Sequence, residues 1–113
     1  MEQINLKELS EKLTRREFIT PGELSEIVME LGGWYGLYAS YLDEIFKKKP
    51  KAWLEIRAQE GCKSDAKADR LWELTEDGQK ELLYRLRLKT IEKISSSIKT
   101  RLRVMSEEMR NIT

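Results

Sequence analysis

The stretch from Glu76 to Ile112 contains no proline, and Gly78 near its start is its only glycine. Its apolar residues recur at steps of three and four, the heptad spacing of a helix that packs one face against other helices. At about 1.5 Å per residue, such a helix is on the order of 50 Å long, which is too long for the core of one small domain. We therefore predict a coiled-coil-like helix that pairs with other copies of the chain. Its seam consists of Tyr84, Leu88, Ile91, Ser95, Ile98, Leu102, Met105 and Met109.

The residues before this stretch also predict helices. A short first helix is expected over residues 4–16, and a second begins where Thr20 can cap it, with Pro21 at its first position and Glu23 completing a capping box. The second helix is predicted to run to about Lys48, with Gly32 and Gly33 as a weak point that lets another helix approach.

Pro50 is then expected to separate the second helix from a short helix over residues 51–60. Ser64 is the expected N-cap of a brief helix over residues 65–74. Two alternatives are open at the next boundary: Thr75 caps the long helix, or Gly78 marks a local turn. With 113 residues, the chain fits one domain. The predicted fold is an all-α helical bundle, with short helices in residues 1–75 and the long basic helix in residues 76–113.

The composition excludes several kinds of chemistry. The chain has no histidine and one cysteine, Cys62, so the common zinc sites and the Ser-His and Cys-His nucleophile pairs are excluded. A buried or incidental cysteine is expected rather than a reactive one. It has no glycine-rich phosphate loop. The acidic candidates for catalysis are Glu55, Glu60, Asp65, Asp69 and Glu73, but surface salt bridges are the expected role of Asp65 and Asp69. The sequence predicts a protein that is not an enzyme and has no metal or cofactor.

No apolar run has the length of a membrane span, and the N-terminus lacks a signal-peptide core. The expected location is the cytoplasm, that of a host cell if the protein is viral, with no membrane partner.

The net charge of +1 conceals a separation of charges along the chain. Residues 85–103 contain seven basic side chains and one acidic side chain, Glu92, so this segment carries +6 and the remainder −5. A solvated helix face ordinarily mixes both signs. The segment therefore indicates a surface that meets an anionic partner.

Three serines lie in the middle of this basic segment, and two interpretations of them stay open. Ser95 can allow a neighbouring helix to pack closely while Ser96 and Ser97 are solvated. Alternatively, small hydroxyl groups among cations leave room for a phosphate backbone and donate hydrogen bonds to it. The second interpretation predicts nucleic-acid contacts from Lys89, Lys93, Ser96, Ser97, Lys99, Arg101 and Arg103, with a second patch at Lys47, Lys48, Lys49 and Lys51.

Aromatic residues suggest how unpaired bases could be held. Trp34, Tyr38 and Tyr41 share one face of the second helix, with Tyr35 close to it. Rings near cations are typical of single-strand binding, in which bases stack on the rings. The alternative is that these rings belong to the core, and for Trp53 and Trp72 the core is the expected place.

Three segments together resemble a known family. These are "EKLTRREFITPGELSEIVMELGGWYGLYASYLDEIF", "KSDAKADRLWELTEDGQ" and, in the long helix, "ISSSIKTRLRVMSEEMRN". Their order resembles the small proteins of phage recombination regions, of the T4-type recombination mediator class. The resemblance implies a helical oligomer that binds single-stranded DNA. It also implies help in loading a RecA-like recombinase onto strands covered by single-strand-binding protein.

Two other functions remain open from the residues alone. The chain can be a helical adaptor, or an inhibitor of a host complex, whose basic helix meets an acidic protein surface. It can also be a helical subunit of a larger nucleic-acid-guided complex that contacts the RNA or DNA backbone.

Overall fold

The protein, as a computed structural model, is described over residues 5–15 and 19–112, with the backbone alone at residue 112. It contains helices α1 (Leu6–Thr14), α2 (Pro21–Arg57), α3 (Asp65–Leu74) and α4 (Glu76–Ile112). No strand occurs within these described residues. The predicted all-α bundle with a long C-terminal helix is confirmed.

Each helix begins at a side chain that accepts a hydrogen bond from a backbone N–H three residues on. The distances are 2.9, 3.2, 3.1 and 3.0 Å for Asn5, Thr20, Ser64 and Thr75. The three caps expected from the sequence are therefore confirmed, because short polar side chains satisfy N–H groups that the first turn leaves unpaired. The first helix is shorter than predicted, and positions 4 and 16 of that prediction lie outside the described residues.

The predicted break at Pro50 is wrong. Helix α2 continues through this proline to Arg57, so residues 51–60 do not form a separate helix. A proline inside a helix removes one hydrogen bond and costs about 3 kcal/mol. Packing on both sides of Pro50 favours an uninterrupted α2, because Ile45 is buried before the proline while Trp53 and Ile56 are partly buried after it.

Helix α2 also continues through Gly32 and Gly33, as the phase of its apolar residues predicted. The expected close approach of another helix is not found among the described residues. A methyl group built on either glycine would meet no heavy atom within 4 Å. These glycines therefore lie at an open surface, where their role is not to make room for a neighbour within the chain.

The chain forms two compact units, Met1–Gly36 with Lys89–Thr113, and Leu37–Leu88. The first, unit 1, is built around Leu24 and Leu31 of α2 with Ile91, Ile94 and Ile98 of α4. The seam residues Ile91 and Ile98 are only 2% and 1% exposed in a single copy. The heptad pattern thus has packing partners within the chain, and its role as an interface between copies stays a prediction.

The second unit, unit 2, has tyrosines and tryptophans in and beside its core. The Tyr84 ring lies 5.8 Å from the Tyr38 ring and 5.5 Å from the Tyr41 ring, measured between centroids. Trp72 is buried, and the partly buried Trp53 donates a 2.8 Å hydrogen bond from Nε1 to Asp69. The expected core roles of Trp53 and Trp72 fit this packing.

A buried carboxylate joins three helices of unit 2. Glu81 of α4 is 6% exposed and accepts hydrogen bonds from Lys49 Nζ of α2 at 3.1 Å and from Trp72 Nε1 of α3 at 2.7 Å. Arg85 Nη2 adds a third at 3.1 Å. Burial raises the pKa of Glu81, but the hydrogen bonds from Trp72, Lys49 and Arg85 and the Lys49 charge outweigh it, so the pKa lies below its ordinary value.

The junction between α3 and α4 requires a glycine. Trp72 O accepts a hydrogen bond from the backbone N–H of Thr75, and Thr75 Oγ1 caps α4. This turn brings the first turn of α4 so close to α3 that a methyl group on Gly78 would lie 1.9 Å from Trp72 O. Only glycine fits there without moving backbone.

Candidate nucleic-acid interface

The seven basic residues of the segment 85–103 fall into two groups. Arg85 and Arg87 have partners inside unit 2: the Arg85 guanidinium lies 5.0 Å from the Phe46 ring centroid, and Arg87 Nη1 donates a 2.7 Å hydrogen bond to Tyr38 Oη. These two arginines contribute to packing through cation–π and hydrogen-bond contacts. The other five cations of this segment belong to unit 1.

Four of these remaining cations are exposed. Lys89, Lys93, Lys99 and Arg103 reach solvent, whereas Arg101 is partly buried. Lys99 and Arg103 form no ion pair with any residue in the described part of the chain. Their charges are thus available to an anionic ligand.

The three serines point to two different neighbours. Ser95 and Ser96 line a groove between α2 and α4, whereas Ser97 lies beside Leu13 of α1 at a smaller cavity. The first interpretation of the serines is met in part, because Ser95 is partly buried and lies on the helix–helix side. Ser96 and Ser97 are both exposed, but Ser96 lies at the groove and Ser97 on the side of α4 that faces α1.

The groove has a volume of about 600 Å³ and belongs entirely to unit 1. Its α4 wall combines hydroxyl groups with cations, and its α2 wall contributes a ring and a glycine. The lining residues are Val28, Gly32, Tyr35, Ile91, Glu92, Ser95, Ser96, Lys99, Thr100 and Arg103. Hydroxyl donors beside Lys and Arg are the side chains that proteins use for phosphate oxygens.

Tyr35 is held in this groove by a carboxylate. Its hydroxyl donates a 2.9 Å hydrogen bond to Glu92 Oε1. The pKa of the Tyr35 hydroxyl is raised, most by this hydrogen bond, next by the negative charge of Glu92 and least by burial. The hydroxyl therefore stays protonated as a donor. The ring remains 36% exposed.

The second predicted patch is smaller than the sequence suggested. Lys47, Lys48 and Lys51 are exposed, and Lys47 forms a 3.0 Å ion pair with Asp43. Lys49 is instead bound to buried Glu81 and lies 5.6 Å from the Trp72 ring centroid. Lys49 therefore has a structural role in unit 2.

The aromatic face of α2 is used mainly for packing. Tyr38 is buried, and Trp34 and Tyr41 are partly buried. The core interpretation of Tyr38 agrees with this burial. Tyr35, which the sequence placed only near that face, is the ring that lines the basic groove.

Two of the acidic candidates for catalysis have ordinary structural partners. Asp65 forms a 2.9 Å ion pair with Arg57, and Asp69 accepts a hydrogen bond from Trp53.

Across residues 5–15 and 19–112, no cluster of three or more side chains suited to hold a metal ion occurs. Cys62 is a buried free thiol. Over the same residues, no helix combines the length and hydrophobicity needed to cross a bilayer.

The groove also contains residues that the sequence did not assign to a nucleic-acid site, among them Gly32, Tyr35 and Thr100. These residues are brought to the groove by the antiparallel pairing of two long amphipathic helices, α2 and α4. Without knowledge of that pairing, neither residue of α2 could be connected to the serines.

Comparison with known proteins gives this chain no family. No family model, no curated protein and no solved structure matches it. Its function is therefore inferred from the residues and geometry described above.

Proposed function

We propose that the protein is an oligomeric accessory factor of phage-type recombination that binds single-stranded DNA non-specifically. It is not an enzyme; it assists the loading of a RecA-like recombinase onto strands covered by single-strand-binding protein in the host cytoplasm. The observation that carries this proposal is the set of exposed cations on α4, Lys89, Lys93, Lys99 and Arg103, beside a groove lined by hydroxyl groups. The order of sequence elements that resembles the mediator class supports the same function.

The electrostatics favour the phosphate backbone over a specific base sequence. Lys and Arg contacts to phosphates release condensed counterions, so affinity falls steeply with salt and depends little on base order. Cations at several turns of one helix form a row that can follow successive phosphates. Such contacts grow in number with strand length, which a recombination accessory factor needs.

Self-association is supported by an apolar face of α4 that unit 2 leaves exposed. Leu82, Leu83 and Leu86 are 49%, 42% and 63% exposed, and they lie within about one helical turn. Three leucines on one solvent-facing turn are unusual for a monomer, and they mark a protein contact. This face differs from the heptad seam.

The occupant we propose for this face is a second copy of the chain. On the same helix, Glu76 precedes Leu82 by six residues and Lys89 follows Leu86 by three. An antiparallel pair centred on the leucines places the acidic end of one copy opposite the basic end of the other, twice by symmetry. The charges thus match a self-complementary pairing.

Charge reversal tests the DNA-binding part of the proposal. We expect wild-type protein to bind polythymidine with an affinity that rises with strand length and falls with salt, measured by fluorescence anisotropy. A variant with Lys89, Lys93, Lys99 and Arg103 changed to glutamate should lose at least about 100-fold in affinity at low salt, because four phosphate contacts become repulsive.

The control is Lys12→Glu with Lys63→Glu, which changes two exposed cations that do not belong to α4. It should reduce affinity less than about threefold. If wild-type protein shows no binding at low salt, the DNA proposal is wrong. The basic helix would then be tested as the docking surface of a protein adaptor or inhibitor, by pull-down of acidic partners.

Leucine substitution tests self-association. Leu82→Glu with Leu86→Glu is expected to convert the oligomer to a smaller species in sedimentation velocity, because four carboxylates would face each other in the apolar contact. The control is Leu54→Glu, at a leucine of similar exposure, 62%, on α2. A wild-type protein that sediments as a monomer at 100 μM, about the concentration of a weak dimer, contradicts the proposal.

A further inference from the structure

We infer that the groove of unit 1 holds one unstacked nucleotide of a single strand, with its base on the Tyr35 ring and its phosphates at Lys99 and Arg103. This inference rests on the proposed function and assigns a strand path to it. The inference places the bound strand on the groove side of α4. It also adds a contact to a base, whereas the contacts proposed above are to phosphates.

The charges in the groove are arranged along its length. Glu92 lies at the Tyr35 end, while Lys99 and Arg103 follow seven and eleven residues later on the same helix. At about 1.5 Å per residue, the cations are about 10 and 16 Å from Glu92 along the axis. A nucleotide has the same polarity, with hydrogen-bonding groups on its base and negative charge on its phosphates.

The space and the donors in the groove suit such a ligand. Its volume of about 600 Å³ lies within the range of about 300–1,000 Å³ that small-molecule sites occupy. Gly32 has no side chain, so the α2 wall leaves space for a ligand at this position. Ser95, Ser96 and Thr100 supply hydroxyl donors between the base end and the phosphate end.

The Tyr35 ring is a preformed platform for a base. Its hydroxyl is fixed by the hydrogen bond to Glu92, so little side-chain freedom is lost when a base stacks on it. A base in a duplex has its faces covered by neighbours, so only an unpaired and unstacked base can use the ring. The groove therefore selects single strands.

Two pairs of charge reversals on α4 separate this groove from the rest of the basic surface. Lys99→Glu with Arg103→Glu changes the groove, and Lys89→Glu with Lys93→Glu makes the same charge change outside it. We expect the groove pair to lose at least about tenfold more affinity for polythymidine than the other pair. Equal losses would overturn the groove while leaving DNA binding intact.

Filling the groove with an uncharged side chain tests the proposed path of the strand without changing the charge of the protein. Gly32→Leu places a side chain in the groove, and Gly33→Leu adds the same side chain at a neighbouring position that does not line it. Both positions have open space around the added carbon, so both variants should fold. Gly32→Leu should lose about tenfold in affinity and Gly33→Leu less than about twofold. Wild-type affinity in Gly32→Leu would overturn the inference.

Stacking on Tyr35 is tested by combining a protein variant with an abasic strand. Wild-type protein should bind a strand of abasic sites about tenfold more weakly than polythymidine, and Tyr35→Leu should show a much smaller difference. Tyr35→Phe keeps the ring and should retain most of the difference. A Tyr35→Leu protein that still distinguishes the two strands by tenfold would place the base elsewhere, whereas a wild-type protein that binds neither strand would contradict the proposed function itself.

Discussion

Changing Glu81 to alanine is expected to lower the free energy of unfolding by about 3 kcal/mol. The carboxylate is buried and accepts hydrogen bonds from Lys49, Trp72 and Arg85. Its removal leaves the Trp72 indole N–H without its acceptor in the core and the Lys49 ammonium without its counter-charge. Urea unfolding followed by circular dichroism measures the loss.

The matched control for this variant is Glu76→Ala in the first turn of the same helix. Glu76 forms an ion pair with Lys80 at 3.1 Å, but its side chain is 85% exposed. Exposed pairs of this kind contribute less than about 1 kcal/mol, so the control should unfold almost as wild-type protein does. Equal stabilities of the two variants would show that the Glu81 contacts do not hold unit 2 together.

The Glu81 contacts also predict a dependence of stability on pH. Because the pKa of Glu81 in the folded protein lies below its ordinary value of 4.5, its contribution is complete above that value. The contribution is lost as the pH falls below 4.5 through the lowered pKa. A Glu81→Gln variant, which has no such carboxylate, should lose less stability than wild-type protein over that acidic range.

Changing Gly78 to alanine is the second substitution expected to have a large effect, a loss of about 3 kcal/mol in the free energy of unfolding. The added methyl carbon would lie 1.9 Å from Trp72 O and 2.9 Å from Glu73 Cα. Both are backbone atoms, so no side-chain rotation relieves the clash and the α3–α4 junction must open. Thermal unfolding by circular dichroism measures the result.

The control substitution, Gly33→Ala, should have the opposite sign. Gly33 lies inside α2, and its added methyl group meets no atom within 4 Å. Alanine favours a helix interior over glycine by about 1 kcal/mol, so this variant should be more stable than wild-type protein. A Gly78→Ala protein as stable as Gly33→Ala would contradict the close junction.

Local signals were sufficient for most of the fold. The caps at Thr20, Ser64 and Thr75 could be predicted because a short side chain and its backbone partner are three residues apart in sequence. The continuation of α2 through Pro50 could not be predicted from local signals. The cost of the proline is local and visible, whereas the packing of Ile45, Trp53 and Ile56 that offsets it depends on other helices.

The candidate site could be predicted only in part. The excess of basic residues on α4 is a property of the sequence, and Lys99 and Arg103 within it are exposed. Which side of the helix they share with Tyr35, and that Lys49 is bound to Glu81, depend on contacts between residues more than 30 positions apart. Periodicity alone contains no such information, because it orders residues on a helix without naming the helix opposite.

The placement of the three tryptophans gives each unit its own optical reporter. Trp34 lies in unit 1, while Trp53 and Trp72 lie in unit 2, where each indole N–H donates to a carboxylate. A protein that keeps only Trp34 would report through its emission on the unit that contains the groove, and one that keeps only Trp72 on the unit that contains Glu81. Equilibrium unfolding curves of the two would reveal whether the halves of this chain lose their structure in one transition or in sequence.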